Sequence, residues 1–338
     1  MGGAAAYHRA FSSGRDVDLA AIYSLITDDM REVDAVIRAR LRSEVVLVSQ
    51  VAEYIIGAGG KRMRPALVLL VAGALGYRGR HHHELAAVIE FIHTATLLHD
   101  DVVDESDLRR GRETANAQFG NAASVLVGDF LYSRAFQMMV GVGSMRVQQV
   151  LADATNTIAE GEVLQLMNCH NADIDVDEYL QVIRFKTAKL FEAAARLGAI
   201  LVDASAEVEA GMATYGMHLG TAFQLIDDVL DYSGEEAETG KHLGDDLAEG
   251  KPTLPLIHTM KFGTPEQAAC VRDAIVSGGR DAFPGVLAAV KGSGALVAAR
   301  KQAETEAQAA VAAISAIPAS VFKDALLELP AFSVSRRS

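Results

Sequence analysis

The chain has 338 residues, half of them hydrophobic, with a formal net charge of -13 and a pI near 5.2. That charge argues against nucleic acid as a partner, because phosphate backbones select basic surfaces. Two cysteines, Cys169 and Cys270, make neither a disulfide framework nor a metal spacing and fit a reducing, cytoplasmic setting; 6% aromatic residues, no Trp and 7 Pro favour helix over sheet.

Residues 1–17 contain no apolar stretch of the kind a secretory leader needs and read as a flexible N-terminal segment. Ala6 breaks the myristoylation pattern that Met-Gly would open. From there apolar residues recur at helical spacing, and no long run alternates with period two. The pattern predicts helices over 18–57, 62–76, 82–104, 114–119, 121–140, 144–168, 176–197, 205–231, 252–261, 265–275, 280–290, 294–316 and 319–329. Turn residues mark the breaks: GAGG at 57–60, GYRGR at 76–80, CHNADID at 169–175, a polar stretch at 233–252 and SGG at 277–279. The longest apolar run, 66–77, is shorter than the ~20 residues of a membrane span. No composition shift divides the chain, so 18–338 reads as one all-α domain.

Two copies of Asp-Asp-x-x-Asp stand inside apolar helical stretches: Asp100, Asp101 and Asp104, then Asp227, Asp228 and Asp231. On a helix, residues four apart stack about 6 Å apart at Cβ, where like charges repel. No Lys or Arg lies three or four residues from Asp100 and Asp104 or from Asp227 and Asp231. Both clusters therefore call for an external cation. Carboxylate oxygens suit Mg2+, which draws its remaining ligands from water and substrate phosphate. The pair reads as a site that holds a diphosphate through magnesium. The long polar segment 233–252, with Lys241, Asp245, Asp246 and Lys251, reads as a lid over that charged substrate.

GGKRMRP (59–65) places Lys61, Arg62 and Arg64 beside a predicted helix start, with Pro65 in its first turn. This is an anion site or, taken alone, a solvated basic turn. His93 lies two turns before Asp100 and reads either as a donor to a diphosphate oxygen or as a core histidine. Arg109 and Arg110 offer forks for phosphate, or surface partners for Glu105 and Asp107. Lys186, Thr187, Phe223 and Gln224 are each weak signals alone. HHH at 81–83 is too short and too sequential for a metal site and reads as the cap of a helix, DIDVD at 173–177 lacks the Gly and Glu of a calcium loop, and Met138 and Met139 read as core.

GGKRMRP, HTATLLHDDVVDESDLRRG, FKTAKLF, GTAFQLIDDVLDYSG and GDDLAEGKPTLPL together resemble the trans-polyprenyl diphosphate synthases, in order and spacing from about residue 20 to 325. Within that family the chain is most similar to long-chain bacterial members of the octaprenyl type. The resemblance implies an antiparallel helical bundle of the isoprenoid synthase type around a deep central cavity, in a homodimer. It assigns Lys61, Arg64, His93 and Arg110 to the diphosphate of isopentenyl diphosphate. Asp100, Asp104 and Asp227 would bind Mg2+, supported by Asp101, Asp228 and Asp231. Arg109, Lys186, Thr187, Gln224, Lys241 and Lys251 would contact the allylic diphosphate, with Lys186 and Arg109 sharing in catalysis.

The implied reaction is ionisation of an allylic diphosphate, such as farnesyl diphosphate, and attack on the cation by isopentenyl diphosphate. Repetition would give octaprenyl diphosphate (C40) for a quinone side chain, with nonaprenyl and decaprenyl products as alternatives. Chain length would be set below the first motif: Ala95 and Thr96 are small, and the tunnel floor falls on Met138, Met139 or Leu151. Pro330 is expected to break the last helix, leaving the roles of Arg336 and Arg337 open. A class I terpene cyclase, a metal phosphohydrolase using His99 and Asp100, and an inactive partner subunit are the rival readings. The first is opposed by Asp227–Asp231 and GGKRMRP, the second leaves the second acidic motif and the lid unexplained, and the third is opposed by the presence of every acidic motif and base. With no anchor, release of so apolar a product would use transient contact with a membrane surface.

Overall fold

Asp18 opens the first helix by accepting from the Ala20 N–H at 2.9 Å. The computed structural model describes residues 18–57, 59–109, 111–233, 243–278 and 280–336. The predicted segment 1–17 lies outside them, as do Arg110, Lys241 and Arg337. Where one helix was expected over 18–57 there are three: α1 (Leu19–Ser24), α2 (Thr27–Arg40) and α3 (Val46–Gly57). Ile22, Ile26, Val33, Ile37 and Leu41 are all buried, so apolar spacing runs unbroken across the first interruption. The second follows from Ser43, whose hydroxyl accepts from the Val45 N–H at 3.1 Å and offers the backbone a turn in place of the helix ladder.

The next helices match the expected positions closely: α4 (Met63–Ala74), α5 (His81–Val103), α6 (Ala115–Phe119), α7 (Asn121–Gly141) and α8 (Met145–Asn168). Between α5 and α6 a two-stranded antiparallel ribbon, β1 (Leu108–Arg109) with β2 (Arg112–Glu113), turns the chain. The histidines at 81–83 do not cap α5; its cap position is Arg80, with no side-chain cap bond. His82 and His83 instead reach Asp29 of α2. The DIDVD stretch is a capping box, Asp175 accepting from the Glu178 N–H while Glu178 accepts from the Asp175 N–H.

The expected helix 176–197 is α9 (Val176–Ile183) and α10 (Lys189–Ile200) joined through a π-helical turn, Arg184–Ala188. Then follow α11 (Ala206–Ser233), α12 (Asp245–Ala248), α13 (Leu254–Phe262), α14 (Pro265–Ser277), α15 (Phe283–Gly292), α16 (Ala295–Ala313) and α17 (Val321–Ser335). Pro330 does not end the last helix, contrary to expectation; it sits inside α17, which carries Arg336 back to the centre of the molecule.

The architecture is an all-α bundle. Its axis is α4, on which Leu67, Val68, Leu69, Leu70 and Val71 are at most 2% exposed. Each such side chain contributes about 1.5–3 kcal/mol by leaving water. Helix α4 packs on α5, α10 and α17, and α11 packs on α10 and α16, so α5 and α11 flank the same interior.

Candidate active site

Helices α5 and α11 each end near their aspartate motif, with Asp104 at the C-cap of α5 and Asp231 in the last turn of α11. A helix C-terminus carries partial negative charge, so both motifs add repulsion to repulsion. Asp100, Asp104, Asp227 and Asp231 all line one cavity of about 660 Å³. Distant cations answer them. Lys186 Nζ lies 3.7 Å from Asp100, Lys251 Nζ 3.0 Å from Asp104 and an Arg336 Nη 2.6 Å from Asp227. Burial works against both ammonium groups. Asp100 with Glu162 outweighs it at Lys186, and Asp104 with Asp246 and Glu249 outweighs it at Lys251; both pKa values stand above the ordinary lysine value.

The middle aspartates point elsewhere. Asp101 is fully buried and takes Nε and Nη2 of Arg109, each at 2.7 Å. Asp228, 3% exposed, accepts from the Tyr179 hydroxyl at 2.5 Å and Gln224 Nε2 at 2.8 Å. Burial first, then Asp246, pushes the Asp228 carboxyl up to about 8. Gln224 in turn accepts from Thr187 at 3.1 Å. Asp101 and Asp228 thus set the side chains of Arg109 and Gln224, both of which line the cavity.

Lys186 and Thr187 reach the cavity from the π turn, a wide loop of helix that often marks a functional site. Two glycines admit it. A Cβ on Gly161 of α8 would fall 2.5 Å from the Lys186 backbone N, and one on Gly220 of α11 would fall 2.6 Å from the Ala188 Cα. Lys186 Nζ also contacts Glu162 at 2.6 Å and Gln165 at 2.7 Å. Burial pushes the Glu162 carboxyl up to about 7, against the pull of Lys186 and with a further push from Asp100.

Glu162, Gln165 and Tyr179 were missed by reasoning from sequence, Asp246 was read only as part of a lid, and the role of Arg336 was left open. A signal for the first two exists. On α8, Ile158, Glu162 and Gln165 share the cavity face, while Val163, Leu166 and Met167 are exposed, an inverted amphipathic pattern.

The basic turn before α4 supplies the other wall. Lys61, Arg64 and His93 line the cavity, an Arg64 Nη lies 3.2 Å from His93 Nε2, and the guanidinium sits 4.4 Å over the Phe191 ring. Arg62, with φ 46°, pairs with Asp34 of α2 and lies 3.9 Å from Glu90. Leu97, Ile158, Leu190, Phe191, Phe223 and Leu230 give the cavity an apolar part. Thr96 lines it too, its hydroxyl bonded to the His93 carbonyl at 2.8 Å. Ala95, Met138, Met139 and Leu151 are buried in the core cluster and are not among the lining residues. From the segment after α11, Leu243, Asp245, Asp246 and Lys251 line the cavity as well.

Comparison with known proteins gives a consistent set. The polyprenyl synthetase family model matches residues 45–283. The chain is 54% identical over 321 residues to octaprenyl diphosphate synthase of Escherichia coli, covering 95% of this chain and 99% of that one. It is 44% identical to the geranyl-diphosphate-specific all-trans-nonaprenyl-diphosphate synthase of Rhodobacter capsulatus, covering 93% and 97%. Among solved structures, a polyprenyl synthase from Caulobacter crescentus, complexed with calcium and isoprenyl diphosphate, superposes with a TM-score of 0.93 at 43% identity, covering 96% and 99%.

Proposed function

The chain belongs to the polyprenyl synthetase family, and from that premise we propose that it is a long-chain all-trans-polyprenyl diphosphate synthase making octaprenyl diphosphate. It is a prenyltransferase: it adds isopentenyl units to an allylic diphosphate. One observation carries the reading. Two acidic pairs, Asp100 with Asp104 and Asp227 with Asp231, share a single cavity with two sets of bases, Lys61, Arg64 and His93, and Lys186, Arg109 and Lys251. One anion is offered metal and bases together, and a second is offered bases alone.

The four lining aspartates offer only carboxylate oxygens, the donor set of a hard divalent ion, and Mg2+ fits them. When bound there it supplies electrostatic stabilisation of the charge that develops on departing pyrophosphate. The Caulobacter relative is complexed with calcium, which supports the use of a divalent ion. The chain's own groups do the rest. Arg109, Lys186 and Lys251 hold the allylic diphosphate and favour cleavage of its C–O bond. Lys61, Arg64 and His93 orient isopentenyl diphosphate so that its double bond attacks the allylic carbon. Leu97, Ile158, Leu190, Phe191, Phe223 and Leu230 keep water from the carbocation. The proton lost on forming the new double bond goes to the released pyrophosphate.

Product analysis tests this. Purified protein with Mg2+, farnesyl diphosphate and labelled isopentenyl diphosphate should give one main product near C40 after dephosphorylation. No incorporation by folded protein would return the cyclase and inactive-subunit readings.

The protein works as a homodimer. Val125, Leu126, Phe136 and Val140 on α7, and Met145, Val163, Leu166 and Met167 on α8, are exposed and fall within about 100° on each helix. A second copy of the same surface would cover both stripes. Sedimentation equilibrium at micromolar protein should give twice the chain mass. No single helix among the described residues is long and apolar enough to cross a membrane. The enzyme acts in the cytoplasm and passes its product on through brief contact with a membrane surface. Cosedimentation with liposomes, with and without product, tests this, and no association in either state would overturn it.

A further inference from the structure

At the far end of α5 from the aspartates, three side chains from two helices meet. His82 and His83 open α5, and Asp29 lies in the first turn of α2. Consecutive residues on a helix point about 100° apart, yet here the two imidazoles stack, with centroids 3.9 Å apart and planes tilted by 33°. Both Nε2 atoms address one oxygen, Asp29 Oδ1, at 3.3 Å from His82 and 2.8 Å from His83. Each imidazole is only 13% exposed. The Tyr77 ring meets His82 edge-on at 5.3 Å and helps fix its orientation.

We propose that Asp29, His82 and His83 form a binding site for a borderline first-row divalent ion of the Zn2+ class, separate from the magnesium-type site. The three donor atoms lie within 4.8 Å of one another. A tetrahedral ion with bonds of about 2.0–2.1 Å needs ligand atoms about 3.3 Å apart. The His82 Nε2–Asp29 Oδ1 distance of 3.3 Å matches that edge and the His83 distance of 2.8 Å falls short of it, so a rotamer adjustment of His83 admits the ion. Two imidazoles and one carboxylate favour Zn2+, Co2+, Ni2+ or Cu2+ over Mg2+, which takes oxygen donors. Three protein ligands leave the fourth position for water.

The placement gives the ion a structural role. It ties α2 to the start of α5, beside the Arg40–Glu84 pair at 3.2 Å that joins the same helices. Five residues along α2, Asp34 holds Arg62 in the basic turn, while α5 carries Asp100 about 25 Å from His83. A cross-link here stiffens the helix pair that supports both diphosphate regions.

The test uses tag-free, full-length protein in excess Mg2+, which fills the all-oxygen sites. Titration with Co2+, followed by visible absorption, should show one tightly bound ion per chain. Equilibrium dialysis with Zn2+ should give the same stoichiometry. His83→Gln and Asp29→Asn should each weaken binding at least tenfold while keeping the helical circular dichroism and prenyl transfer in Mg2+. Asp100→Asn should leave Co2+ binding intact. Zn2+ should raise the wild-type Tm by about 3 °C or more and leave that of His83→Gln unmoved. The proposal falls if wild type takes up no Co2+ beyond Mg2+, or if folded His83→Gln and Asp29→Asn bind it as tightly as wild type. It falls too if Asp100→Asn abolishes the binding, which would send the ion to the aspartates.

Discussion

The buried hydroxyl of Tyr215 donates to the carbonyl of Leu326 at 2.6 Å. Leu326 lies four residues before Pro330, so its carbonyl is the one that proline, lacking an N–H, cannot satisfy. A tyrosine on α11 thus repairs the ladder of α17, and the helix runs on to present Arg336 to Asp227 and to the Phe223 carbonyl at 2.5 Å. Tyr215→Phe should destabilise the protein by about 1–2 kcal/mol, the cost of a buried unmet carbonyl. In a Pro330→Ala background residue 330 has an N–H again, so the same change should cost at least about 0.5 kcal/mol less. Denaturant melts of the four proteins measure the coupling.

The lining and buried aspartates should separate in kinetics. Asp104→Asn and Asp227→Asn each remove a carboxylate that faces the diphosphate cavity and should lower kcat about 10³-fold. Asp228→Asn should cost under about 10-fold. Burial, then Asp246, pushes the Asp228 carboxyl up to about 8, so the neutral form is favoured at pH 7, and an amide there accepts from Gln224 through its oxygen while its nitrogen can donate to the Tyr179 oxygen. Steady-state rates at saturating Mg2+ decide between these outcomes.

Much of this site was legible because its chemistry is local. Asp100 and Asp104, or Asp227 and Asp231, announce a shared helix face by spacing alone. The small turn residues likewise placed most helix ends within a few positions. What escaped depends on distance or on backbone detail. Arg336 meets Asp227 through a helix that a proline rule terminates, and the rule fails because a residue far away in the chain supplies the missing donor. The interruption between α1 and α2 leaves the apolar period intact. A π turn changes the helical phase by one residue, which apolar spacing over 176–197 does not reveal.

That π turn supplies a third prediction. Gly161→Ala puts a methyl group against the Lys186 backbone, which cannot yield without moving the turn. Stability should fall by about 1–3 kcal/mol, as for overpacking elsewhere. Because Lys186 moves with the turn, KM for the allylic diphosphate should rise at least tenfold while KM for isopentenyl diphosphate changes little. An equal rise in both would mean that the two diphosphate regions are not separately held.

Glu306 offers a pH-dependent test away from the cavity. It is 5% exposed on α16, with His218 Nδ1 of α11 at 2.5 Å and Arg184 of the π turn at 3.2 Å. Burial pushes its carboxyl up, but the bonds and charges of His218 and Arg184 win, and the pKa stands below the ordinary value. A depressed carboxyl pKa contributes stability above the unfolded value, and that contribution is lost as pH falls through the folded one. Glu306→Gln should therefore cost roughly 3 kcal/mol at pH 7, toward the lower end for a buried pair because Arg184 is 40% exposed. The gap to wild type should close progressively below about pH 4.5. A gap independent of pH would assign the loss to packing.

Thr96 is the place to test what limits the growth of the product. It lines the cavity one helical turn from Asp100, whereas Met138, Met139 and Leu151 lie packed in the core beyond the lining. An aromatic ring at 96 would stand across the path of a lengthening chain directly below the diphosphate. Thr96→Phe should therefore shorten the main product from near C40 to C20 or less. Its kcat for the first condensation should stay within about tenfold of wild type, because no diphosphate-facing group is altered. Met139→Ala should leave the product distribution unchanged if growth ends above it, and lengthen it if a growing chain displaces that core packing. Chromatography of the dephosphorylated products resolves both, and an unshortened product from Thr96→Phe would show that the chain leaves the cavity by another wall.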